Sequence, residues 1–282
     1  MNILKALFGS GTKIETITLP SEINPNGMLE AQKRIEKVHC EQAIQLDLSR
    51  LDLTSVPESL GQLTALQELD LHSNQLTRVP EWLGRLTTLK KLCLSSNRLT
   101  NLPDFLGRLP SLIEIDVSNN QLASVPESLG ELMSLQELKL SINRLTSLPT
   151  SFGGLLALQK INLFRNQLTR FPESLVQLKT LKTLILSVNE LTSLPESLGQ
   201  LTSLEVLEIS DNQLTSVPES LGRLLALRKL SLAANRLTSV PQSLGQLTAL
   251  RELYLFNNRL KSLPESLRLL SKLKTLKVDQ LV

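Results

Sequence analysis

Asp70, Cys93 and Asp116 follow one another at intervals of 23 residues, and His72 stands two residues after Asp70. A thiol, an imidazole and carboxylates on one surface are the parts of a base-activated nucleophile, or of a soft-metal site. The spacing argues against both. Across parallel strands the diagonal from Cys93 to His72 is ~7–8 Å between Cα atoms, and no oxyanion donor accompanies the pair. Two soft or imidazole ligands also lack a third at matching spacing for zinc. No catalytic residue, metal or other cofactor is therefore expected, and a thiol hydrolase is the last of the alternatives. The segment GSGTK near the start shares Gly and Lys with a phosphate loop. It lacks the earlier Gly, the preceding strand and a Ser or Thr after Lys13, so it reads as a leader.

The elements that carry these residues come from a repeat. Asn74, Asn97, Asn120, Asn143, Asn166, Asn189, Asn212, Asn235 and Asn258 are spaced by 23 residues, as are ten prolines from Pro57 to Pro264. Each unit opens with an LxxLxL pattern such as Leu66 to Leu71, whose period of two predicts a short strand with its leucines on one face. One strand per unit, always entering from the same direction, predicts a parallel sheet. The Asn is polar yet flanked by core leucines, so its amide must be satisfied by the backbone of adjacent turns. Ser followed three residues later by Glu or Gln, as at Ser55 and Glu58 or Ser216 and Glu219, has the spacing of a capping box. Proline then starts a short α or 3-10 turn, and a Gly such as Gly61 or Gly222 is expected to stop it. A strand is narrower than a helical turn, so the stack must curve, with the strands on its concave wall.

These units resemble the leucine-rich repeat family, in the class with consensus LxxLxLxxNxLxxLPxxLxxLxx, over residues 43–282. They are similar to bacterial 23-residue proteins and to intracellular plant and animal repeats related to the Ras-pathway scaffold. The resemblance implies an α/β repeat fold, a curved solenoid or horseshoe with a parallel sheet inside and short α or 3-10 turns outside. It also implies a non-enzymatic module that binds a protein partner on the concave strand face, in signalling, scaffolding or host interaction. A structural or self-associating arm of a larger assembly is the alternative. Leu51 departs from the consensus in place of the first Asn, and Val176 and Arg268 in place of Gly. Extracellular members usually close their ends with cysteine-rich caps, which are not seen here, so a reducing, cytoplasmic setting is expected.

Composition supports this organisation. Apolar residues make up 41% of the chain and aromatics 3%, so the core is aliphatic. No apolar run approaches the ~18 residues of a membrane span, and the start lacks the features of a signal peptide. Thirty basic and 27 acidic residues alternate, for a net charge of +3, which argues against a nucleic-acid partner. Residues 1–42 read as a leader and helical cap: a strand over Lys13–Leu19, then an amphipathic helix opened by Asn24 and Pro25, with Ala31, Ile35 and Val38 on one face. Residues 43–282 read as ten units and a partial last one. A monomer is expected, with end-to-end pairing through the last strand as the alternative.

The third, fifth, seventh and eighth residues of each unit point outward and form the functional alphabet. Early units place Glu68, Asp70, Glu114 and Asp116 there, an acidic stretch that would steer a basic partner. Middle units place Ile142, Phe164, Arg165, Ile185, Val188 and Val206, where most units are polar, and Tyr254 and Phe256 follow farther on. These apolar positions are the expected partner-binding surface. A secondary candidate lies on the convex side, where Trp82 and Phe105 occupy equivalent positions.

Overall fold

The computed structural model describes residues 25–279. The leader, the strand expected over Lys13–Leu19 and Asn24 lie outside the described residues. The described part opens with α1 (Pro25–Glu41), whose Ala31 and Ile35 are buried against the first repeat while Val38 and Met28 pack at its margin. Arg34 ties the helix down by donating from Nη1 to the carbonyl of Asp47 at 3.0 Å. Gly27 sits so close to Leu51 that a Cβ there would lie 1.9 Å from the Leu51 carbonyl oxygen. The helix therefore rests on the turn where Leu51 replaces the first Asn.

Eleven three-residue strands follow among the described residues: β1 (Gln45–Asp47), β2 (Glu68–Asp70), β3 (Lys91–Cys93), β4 (Glu114–Asp116), β5 (Glu137–Lys139), β6 (Lys160–Asn162), β7 (Thr183–Ile185), β8 (Val206–Glu208), β9 (Lys229–Ser231), β10 (Glu252–Tyr254) and β11 (Thr275–Lys277). They form one parallel sheet in sequence order, in register column by column. From β1 to β10 the middle residue of each strand and the Leu, Ile or Val two residues later point into an aliphatic core that runs unbroken along the stack, with Leu138, Leu140, Ile161, Leu163, Leu184 and Leu186 fully buried at its centre, whereas Leu276 of β11 is 41% exposed.

The asparagines close the polar accounts of this core. Asn166 Nδ2 donates to the carbonyls of Leu140 and Leu163 at 3.0 and 3.2 Å, and its Oδ1 accepts from the Leu145 amide at 3.0 Å. One side chain thus satisfies backbone groups of two successive repeats, and Asn74 to Asn258 repeat the arrangement.

On the convex side each repeat makes a five-residue 3-10 helix, such as Glu58–Gln62. Two expectations about these helices do not hold. The helix is capped by proline in extended backbone with no side-chain cap, so Ser55 and its equivalents form no capping box. The glutamates reach forward instead: Glu127 accepts from the Ser151 amide of the next repeat at 3.0 Å, and Glu196 from that of Ser220 at 3.1 Å. Nor does the glycine stop the helix. It lies inside it, adopts no left-handed backbone, and serves close approach, since a Cβ on Gly107 would stand 2.0 Å from the Ser128 carbonyl oxygen. Tight convex stacking, not chain reversal, is what selects glycine here.

Candidate binding face

The wall formed by the strands is uneven in chemistry. At its early end Glu68 pairs with Lys91 at 3.3 Å, and Lys139 reaches Glu114 at 2.5 Å and Glu137 at 3.6 Å, while Lys160 also meets Glu137 at 3.6 Å. Burial opposes the charge on Lys139, but its hydrogen bond to Glu114 and the charges of Glu114, Glu137 and Asp116 outweigh it and raise the ammonium above its ordinary range. The expected acidic stretch is therefore interrupted by lysines in its glutamate column, while Asp47, Asp70 and Asp116 form no ion pair with a lysine or arginine among the described residues. Glu68 and Glu114 are neutralised by lysines, Asp70 is engaged by His72, and Asp116 accepts from the Ser118 amide at 2.9 Å. Lys91 and Lys139 fill the gaps between carboxylates because parallel register sets equivalent columns side by side.

Beyond these ion pairs apolar residues join the polar ones on the wall. Ile142, Arg165 and Val188 occupy the same column on three successive turns, and Phe164 and Ile185 fill the columns beside them. The Ile142 amide donates to the Phe164 carbonyl at 2.8 Å, and β7 places Ile185 directly beside Asn162 of β6. Val206 lies one strand on, paired with Thr183, and so joins the patch at its edge. Ile142 is 37% exposed, Phe164, Ile185, Val188 and Val206 are half-buried, and Arg165 is exposed. Arg165 makes no ion pair among the described residues. On the far side the patch is bounded by Lys229, whose ammonium meets Glu208 at 2.6 Å.

The backbone of this column is unusual. Its residue takes a left-handed conformation in every unit from Arg50 to Asn257, with φ between 51° and 58°. Most units meet this with Ser, Asn, Asp, Arg or Ala, but Ile142 (φ 55°) and Val188 (φ 58°) are β-branched. A branched Cβ is the worst choice for that region.

Tyr254 and Phe256 are not part of the patch. They belong to the β10 repeat, three strands beyond β7, which is ~14 Å at the usual strand spacing. There Tyr254 is held between Lys229 and Lys277, 5.8 and 5.7 Å from its ring centre, and its hydroxyl donates to Glu252 at 3.0 Å. The convex candidates have a structural role as well. Trp82 and Phe105 are half-buried, and each ring lies on the bare backbone of the preceding repeat's glycine, where a Cβ on Gly61 or Gly84 would be 3.3 or 3.2 Å away. They replace the Ser that stands against Gly107, Gly130 and Gly199.

One feature escaped the reading of the sequence, and another was set aside there on distance. Met133, Leu156 and Leu225 are more than half exposed at the turn before their strands, where Thr is the usual residue. The second is at the early end: side-chain ligand atoms of Asp70, His72 and Cys93 all lie within 4.8 Å of one another. The Cα diagonal overstates the gap because the side chains lean together, and the third ligand is the Asp70 carboxylate. This cluster is not arranged as a nucleophile. Cys93 Sγ is 3.2 Å from Ser95 Oγ, and burial, aided by the charges of Asp70 and Asp116, pushes the thiol pKa up despite that contact. An activated cysteine needs the opposite shift.

Sequence profiles of this repeat cover most of the chain: a leucine-rich repeat region over residues 42–145, leucine-rich repeats over 133–191 and 179–237, and a two-copy repeat over 225–269. The chain belongs to the leucine-rich repeat family. Compared by sequence with curated proteins, it matches none. Among solved structures, the leucine-rich repeat protein LIC12759 of Leptospira interrogans is similar with a TM-score of 0.84 and 37% identity, over 88% of this chain and 64% of that one. The plant peptide hormone receptor RGFR1, in complex with RGF2, is similar with a TM-score of 0.69 and 26% identity, over 87% of this chain and 45% of that one. The functional domain of InlJ from Listeria monocytogenes shares the fold at 23% identity, with a TM-score of 0.64 over 84% of this chain and 53% of that one. This leucine-rich repeat chain thus spans between 45% and 64% of the length of these structures. Its unclosed parallel sheet and short 3-10 turns are the solenoid architecture they share.

Proposed function

We propose that this leucine-rich repeat array is a protein-binding module whose site is the concave patch of Ile142, Phe164, Arg165, Ile185 and Val188, with Val206 at its edge. The observation that carries the reading is the pair of β-branched residues in left-handed backbone. Ile142 and Val188 incur strain of order 1–3 kcal/mol each, yet the core beneath them is complete without their side chains. A cost retained at two positions that flank one exposed arginine fits a surface kept for recognition. The partner chemistry follows: an apolar segment to lie across Phe164 and Ile185, with a carboxylate placed to meet Arg165. The plant receptor structure, a complex with RGF2, is a precedent on the same architecture.

The test is affinity capture from the source cell followed by direct binding of the captured protein. Phe164→Ala and Ile185→Glu should each weaken that binding at least ~thirtyfold, about 2 kcal/mol for a lost hot spot, with circular dichroism and melting temperature near those of the parent. Trp82→Ala should bind as the parent does. Normal binding by both concave variants would refute the assignment.

A further inference from the structure

We propose that Asp70, His72 and Cys93 form a binding site for a thiophilic divalent cation of the zinc type on the early part of the concave wall. Asp70 and Cys93 are register partners on β2 and β3, and His72 follows Asp70 on the same turn, so two adjacent strands hold all three. The three side chains are half-buried and offer one carboxylate oxygen, one imidazole nitrogen and one sulfur within 4.8 Å of each other. That donor set selects zinc-like ions over calcium and magnesium, which prefer oxygen alone.

The sulfur must close up on the other two ligands, since sulfur and a nitrogen or oxygen on one tetrahedral zinc stand about 3.5 Å apart and the cluster spans up to 4.8 Å. His72 Nδ1 and Asp70 Oδ1 are 2.8 Å apart. Ligands on one tetrahedral zinc, each ~2.0–2.1 Å from the ion, stand about 3.3 Å apart, so the pair must open by roughly half an ångström as the ion replaces the shared proton. Charge favours uptake, because Asp47 and Asp116 flank the cluster on the neighbouring strands. The proton balance is simple. Cys93 releases its thiol proton to solvent on forming the metal–sulfur bond, and the imidazole proton passes from Nδ1 to Nε2, leaving the ring neutral. Arg50 Nε, which donates to His72 Nε2 at 3.3 Å, must then turn away. The fourth position faces solvent and takes water. The proposal stands apart from the apolar patch and does not rest on the proposed function.

Cobalt(II) is the probe, in a Cys40→Ser background so that Cys93 is the sole thiol. We expect one equivalent of cobalt per chain, a thiolate-to-cobalt absorption band in the near ultraviolet, and displacement of that band by zinc. His72→Ala and Asp70→Asn should each weaken uptake by more than about tenfold, since even outer-shell partners are worth that much. Arg50→Ala should tighten it several-fold by removing a competing donor and a positive charge. Zinc should raise the melting temperature of the parent and not that of His72→Ala. Failure of the band to develop overturns the site, and so does uptake that neither His72→Ala nor Asp70→Asn alters, because Cys93 would then bind alone.

Discussion

Replacing Ile142 sets the cost of its backbone against the value of its side chain. A left-handed conformation costs an L-residue ~1–2 kcal/mol, and a branched Cβ sits at the upper end. Asn adopts the same conformation at little cost, and Asn119 and Asn257 already do so in this column, at φ 53° and 54°. Against this relief stands the apolar contact that Ile142 makes with neighbouring turns. The residue is 37% exposed, and its contact is worth about 1 kcal/mol or less by area. Ile142→Asn should therefore stabilise the array by ~0.5–1 kcal/mol, a rise in melting temperature of about 1–3 °C for a chain of this size. Ile142→Leu keeps every carbon but moves the branch from Cβ to Cγ, so it should fall between the two. Equilibrium urea unfolding followed by circular dichroism gives the order, expected to be Asn, then Leu, then Ile. Affinity for the captured partner should run in reverse, with Ile tightest. The order Ile, Leu, Asn in stability would show that burial outweighs strain and would remove the argument for a functional Ile142.

Asn166→Ala leaves the Leu145 amide without its partner, while the Leu140 and Leu163 carbonyls still accept from Asn143 and Asn189, so unfolding should become easier by ~1–3 kcal/mol while partner affinity per folded molecule stays unchanged; urea titration and direct binding check the two halves. Gly107→Ala drives a Cβ to 2.0 Å from a backbone oxygen and should cost more than ~2 kcal/mol, whereas Gly61→Ala meets only the Trp82 side chain at 3.3 Å and should cost less than ~1, as paired melts would show. The raised Cys93 thiol binds its proton more tightly folded than unfolded, so its contribution to stability is complete below the unfolded value and is lost as pH rises through the higher folded one. In a Cys40→Ser background, alkylation of Cys93 at neutral pH should accelerate on unfolding in urea. Equal rates in the two states would contradict the shift.

Much of this molecule is written in one dimension. A period that never slips determines the strands, their parallel order and the aliphatic core, because each unit buries its leucines only against an identical neighbour. The same logic required every Asn to be satisfied by backbone, and it is. Periodicity says less about contacts between units, where the fold departed from local expectation. Ser and Glu at capping-box spacing have their partners in the next repeat, and Gly ends no helix but admits the following turn, since convex packing brings backbones closer than any Cβ allows. Pairing across 23-residue steps also tied the early glutamates to lysines of adjacent strands. The apolar patch was legible as a column that changes character, but its backbone strain was not, because φ at one position is dictated by the closing of the whole coil. The Asp70, His72 and Cys93 cluster shows the same division. Sequence gives the columns, while the lean of side chains across two strands, a few ångströms beyond any spacing rule, decides whether three ligands meet.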